Sequence, residues 1–99
     1  MSVVGRGLVS GYLPEAELDR IVRDGTAALP IDGRRLLVII PDGTRTMPMP
    51  AVADLLERHV GPRVAALDYL VALGTHVPMS DEELTQLLGR PVIDGRAGR

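Results

Sequence analysis

The sequence predicts an α/β fold, a small parallel βαβ-containing sheet flanked by helices, and three observations carry that prediction. Leu36-Leu37-Val38-Ile39-Ile40 is an unbroken apolar run, Leu67 to Leu73 (LDYLVAL) is a second, and Ala51 to Val60 between them places apolar residues at helical spacing. Apolar runs of this length, closed by Gly and Pro, read as strands buried on both faces. A single helical crossover between two such strands makes them parallel and the connection right-handed. The expected unit is therefore Rossmann-like, an incomplete part of a larger domain.

Composition narrows the function classes. The 99 residues carry 45% hydrophobic content and a mean hydropathy of +0.15, enough for one small domain and no more. With two Tyr and no Phe or Trp, the core has to be built from Leu, Val, Ile, Ala and Met. Eleven basic against thirteen acidic residues, a net charge of −2 and a pI near 5.6 disfavour a nucleic-acid partner. All the basic residues are Arg, so Schiff-base and P-loop chemistry, which need Lys, are excluded within these residues. The absence of Cys excludes thiol nucleophiles, thiolate metal ligands and disulfides. No signal peptide opens the chain and no apolar run approaches the roughly 20 residues of a spanning helix, so no membrane partner and a cytoplasmic location are expected.

In chain order, Ser2-Val3-Val4 suggests a short edge strand, followed by Gly5, Gly7 and Gly11 in a flexible stretch that lacks the context of a phosphate-binding loop. Pro14 to Asp24 reads as a helix with Glu15, Glu17 and Asp19 early and Arg20 and Arg23 at pairing distance. Leu18, Ile21 and Val22 form its stripe, and Gly25 is its natural stop unless Thr26-Ala27-Ala28 adds a turn. Pro30 and Asp32-Gly33 turn the chain into the first strand. Pro50 can start the second helix, Ala51–Val60, with Val52, Leu55 and Leu56 inward, Asp54 paired to Arg58, and Gly61-Pro62 closing it. Ser80 and Glu83 form a capping box, with Met79 and Leu84 as a hydrophobic staple, ahead of a third helix that Gly89 and Pro91 end. Residues 90–99 have no apolar periodicity and read as a mobile tail.

Chemistry is expected where the strands stop. Asp42, Gly43, Thr44 and Arg45 follow the first, Gly74, Thr75 and His76 the second, and parallel strands end on the same side of a sheet, where α/β folds bind ligands. This arrangement brings Asp42, Arg45 and His76 together. Arg45 offers a fork for a planar carboxylate. His76 precedes a helix N-terminus, whose partial positive charge favours the neutral imidazole that can accept a proton. A structural alternative exists for each: Asp42-Gly43 as a plain turn, Arg45 as its surface ion-pair partner, His76 as a loop histidine on a backbone carbonyl. His59 reads as an ordinary residue near a helix C-terminus, and Met47 and Met49 as loop packing.

Pro41-Asp42-Gly43-Thr44-Arg45 after a strand, and Ala72-Leu73-Gly74-Thr75-His76-Val77-Pro78-Met79-Ser80 before an acidic helix start, together resemble the N-terminal domain of the lactate racemase (LarA-like) family over about residues 36–88. Thr46 and Val77 depart from that pattern, standing where many members have Pro and Arg. The resemblance implies a nickel-pincer-nucleotide-dependent racemase or epimerase of 2-hydroxy acids. In that reading His76 takes the substrate hydroxyl proton, and Arg45 holds the substrate carboxylate. Asp42 and Thr44 shape the loop around substrate and cofactor, with Gly74 and Thr75 also on the cofactor side. It also implies what is lacking here: the cofactor's attachment lysine, the histidine that holds its nickel and the second acid/base histidine, so no metal ligand is assigned. The expectation is a single partial domain, 1–99, truncated and inactive alone, completed by another chain or an oligomer. The alternatives are a small carboxylate- or nucleotide-binding module, or a protein-interaction module, without catalysis.

Overall fold

The computed structural model describes residues 4–44, 46–74 and 76–97. Ser2 and Val3 of the suggested edge strand lie outside these residues, as do Arg45 and Thr75; Val4 is not in a strand.

The first helix, α1 (Glu15–Ala27), starts after an extended Pro14 and is laced by Arg20 to Glu17 at 2.6 Å and Arg20 to Asp24 at 3.4 Å. It runs through Gly25 to Ala27, the extra turn that Thr26-Ala27-Ala28 allows, with the Thr26 hydroxyl donating to the Val22 carbonyl at 2.7 Å. The sheet has two strands, β1 (Arg35–Pro41) and β2 (Ala66–Ala72), parallel and in register from Arg35 opposite Ala66 to Pro41 opposite Ala72. Between them lie α2 (Met49–His59) and a 3₁₀ turn (Gly61–Arg63). The second helix begins two residues earlier than the sequence suggests, with Pro50 in its first turn, where a missing N–H costs nothing.

The strands are not buried on both faces. Ile40, Met49, Ala53, Leu87, Leu88 and Val92 form the core, with Val38, Tyr69 and Val71 packed against it, so one face of the sheet is covered by α2 and α3 (Asp81–Leu88). The alternate residues Leu37, Ile39 and Leu70 remain 56%, 67% and 51% exposed. A continuous apolar run looks the same whether one face or both are covered; here α1 packs on α2 and leaves the outer face bare.

Arg63 closes the frame. Its Nε donates to Asp32 at 2.7 Å and its two terminal nitrogens to the carbonyls of Thr26 and Leu29 at 2.8 and 2.9 Å, joining the end of α1 to the approach to β2. The Ser80–Glu83 capping box is present at the start of α3, with Met79 and Leu84 both packed on the core. Gly89 ends that helix in the left-handed region at φ 71°. Beyond it Val92 is buried and donates its N–H to Thr85 Oγ1 at 2.9 Å, while the N–H groups of Asp94 and Gly95 donate to the Asp81 carboxylate at 2.7 and 3.0 Å. Residues 90–97, read from sequence as a mobile tail, thus fold back on α3. Among the described residues no helix is long and apolar enough to cross a membrane.

Candidate active site

Because β1 and β2 are in register, Pro41 and Ala72 end side by side and the two loops that follow leave from the same edge. Asp42 comes first and is 6% exposed. A carboxylate this enclosed needs partners, and among the described residues it has three. The backbone N–H of Thr44 donates to Oδ1 at 3.1 Å, the Thr44 hydroxyl donates to the same oxygen at 2.6 Å, and Oδ2 meets Nδ1 of His76. The Thr44 hydroxyl, then His76, then the Thr44 N–H hold the Asp42 carboxyl down at about 2, well below its ordinary 3.8.

An ionised carboxylate can only accept hydrogen bonds, so His76 must carry its hydrogen on Nδ1. In the neutral ring the lone pair then sits on Nε2. The His76 side chain is 52% exposed, so that nitrogen can be reached from outside the fold. The start of α3 is a weaker influence than the sequence suggests: the Glu83 N–H meets the Ser80 hydroxyl, and the first turn carries the carboxylates of Asp81, Glu82 and Glu83.

Asp42, Thr44 and His76 open into a cleft of about 560 Å³ whose other walls include Met47, Met49, Pro50, Val77, Met79 and Leu87, with Glu83 and Gln86 from α3. Gly43 and Gly74 sit at the turns of the two loops, Gly74 in the left-handed region at φ 61°. The structure therefore joins Asp42, Thr44 and His76; the expected positions of Arg45 and Thr75 lie outside the described residues. Met49 is a core residue, 1% exposed, whereas its neighbour Met47 borders the cleft. No group of three or more His, Cys, Asp or Glu side chains that could hold a metal ion occurs among the described residues.

Sequence reasoning missed a second histidine–carboxylate contact. Nε2 of His59 meets Oδ1 of Asp19, and Arg58 reaches the other oxygen of that carboxylate at 3.7 Å, tying α2 to α1. The partners are 40 residues apart, and no local spacing marks them. Glu83 and Gln86 on the cleft wall were also missed, because the capping box by itself accounts for Glu83 in the sequence.

The lactate racemase N-terminal domain family matches this chain over residues 15–96. The chain belongs to that family. No curated protein and no solved structure matches it.

Proposed function

We propose that this chain is the N-terminal portion of a nickel-pincer-nucleotide-dependent 2-hydroxy-acid racemase or epimerase, cytoplasmic, and inactive without a complementing chain or region. The observation that carries the reading is the Asp42–His76 contact at the edge of two parallel strands, on the motifs that gave the family resemblance. His76 is the base: Nε2 accepts the hydroxyl proton of the 2-hydroxy acid, and Asp42 stays ionised and takes the hydrogen bond of the resulting imidazolium at Nδ1. Arg45, in the same loop, would hold the substrate carboxylate as a bidentate fork.

The nickel-pincer nucleotide would supply the hydride acceptor. The 99 residues contain no Lys for its attachment, and the described residues include no three-group metal cluster. They fit the proton-transfer half of the chemistry and not the cofactor's anchorage, so only proton steps are assigned to them. Chiral chromatography of a 2-hydroxy acid should show no interconversion with the 99 residues alone. It should show interconversion once a polypeptide carrying the lysine-bound cofactor is added, and a loss of roughly 10²–10⁴-fold with His76→Ala. Racemisation by the 99 residues alone would refute the incomplete site; full activity of His76→Ala in the complemented enzyme would refute the base.

A second reading is favoured by the bare outer face of the sheet. Leu37, Ile39 and Leu70 form an apolar surface that suits an interaction module. Light scattering that shows association rising with concentration would support it, and a monomer at high concentration would count against it.

A further inference from the structure

Thr44 has two donors, and both are turned on the same oxygen of Asp42, at 3.1 Å from the backbone N–H and 2.6 Å from the hydroxyl. The loop folds back on itself to do this. Were the aim only to satisfy a buried carboxylate, one donor on each oxygen would serve equally well. Spending both on Oδ1 leaves Oδ2 for His76. The hydroxyl hydrogen is committed as well, so Thr44 has none left to donate to a substrate or cofactor.

We propose that Thr44 is a positioning residue: by saturating Oδ1 of Asp42 it aims Oδ2 at His76 and thereby fixes the imidazole in the tautomer whose Nε2 is free to accept a proton. The proposal rests on His76 as the base, and assigns Thr44 an action through Asp42 rather than a direct contact with ligand. Without the pair of donors the plane of the carboxylate can turn out of line with Nδ1, the contact with the ring is lost, and nothing then selects the tautomer. Among the described residues, the titratable groups that border this cleft are Asp42 and His76 from the strand loops and Glu83 from α3; Glu83 is held by Ser80 at 3.1 Å from both the N–H and the hydroxyl.

The test is ¹⁵N NMR of the His76 ring in the 99-residue chain, with Thr44→Ser and Thr44→Val variants and the backbone amide spectrum as a check of folding. The unaltered chain and Thr44→Ser should show the hydrogen on Nδ1 and an unprotonated Nε2. Thr44→Val should show mixed tautomers and an Asp42 titration moved up from about 2 towards the ordinary 3.8. A Thr44→Val chain that keeps both the tautomer and the low titration overturns the role of Thr44 and leaves the base assignment standing. An unaltered chain with its hydrogen on Nε2 overturns the Asp42–His76 dyad and the proposed base together. If Thr44→Val unfolds, Thr44→Ala takes its place: a folded Thr44→Ala chain with mixed tautomers supports the role, and one that keeps both the tautomer and the low titration overturns it.

Discussion

Among the described residues, the hydrogen-bond partners of Asp42 all favour its ionised form: two donors from Thr44 and one from His76. The folded chain therefore binds the carboxylate more tightly than the acid, with titration at about 2 against an ordinary 3.8. The sign follows from linkage. Stability from this site is fully present above the ordinary value, declines as pH falls from 3.8 towards about 2, and is lost below that. Urea midpoints measured through this window should fall for the unaltered chain, and Asp42→Ala should lose that share of the slope. Asp19 obeys the same rule, since the hydrogen bond from His59 lowers its carboxyl. Asp19→Asn is expected to speed amide hydrogen exchange in α1 more than in β1 or β2, because Asp19 is one of the side chains that tie α1 to α2; equal change throughout would deny that role.

Among the elements, α3 is the most sharply specified. Ser80 and Glu83 close its first turn, and Ser80→Ala should lower stability by about 1 kcal/mol in denaturant titration. Its other end depends on Gly89 for two reasons: φ is 71°, and a Cβ there would lie 2.6 Å from Cβ of Pro50 and 3.3 Å from its Cα. Gly89→Ala should cost about 1–3 kcal/mol from the backbone alone, with the clash against α2 added. The elements legible from sequence were those written in local chemistry: the apolar runs, the proline at the start of α2, the capping box and the glycine stop. Where the reading departed from the structure, the cause was not local. Among the described residues no element covers the outer face of the sheet, and the fold-back of residues 90–97 uses backbone N–H groups that carry no sequence mark. Of the site, the meeting of Asp42 and His76 followed from parallel strands; that both donors of Thr44 converge on one oxygen did not.

In the molecule as a whole, the core lies on one side of the sheet and the stretch ahead of α1 is largely exposed. The radius of gyration is 14.3 Å, against about 13 Å for a compact domain of this size. Few residues are fully enclosed, and Met49 and Val60 are the largest of them. Met49 sits where α2 meets the sheet and α3, so its loss should weaken the fold disproportionately. Met49→Ala is expected to cost about 2–5 kcal/mol by urea unfolding, whereas Met47→Ala, half exposed at the cleft, should leave the midpoint nearly unchanged. Equal effects would mean that the core is not centred on Met49.

The matched register of β1 and β2 also acts as a ruler. Because Pro41 and Ala72 finish level, the reach from each strand end to Asp42 and to His76 is set by counting residues, and a miscount cannot be absorbed by the loop alone. One residue inserted into β2 would exchange its two faces, turning Tyr69 and Val71 outward and Leu70 inward, while the helix ahead of it stayed intact. The same insertion after Gly61, before the strand is measured out, would leave the spacing from Ala66 to His76 untouched. Tolerance to changes in length should therefore be absent from the strands that gauge the site, whereas an insertion after Gly61 is opposed by the anchorage of Arg63 and not by the spacing of the site.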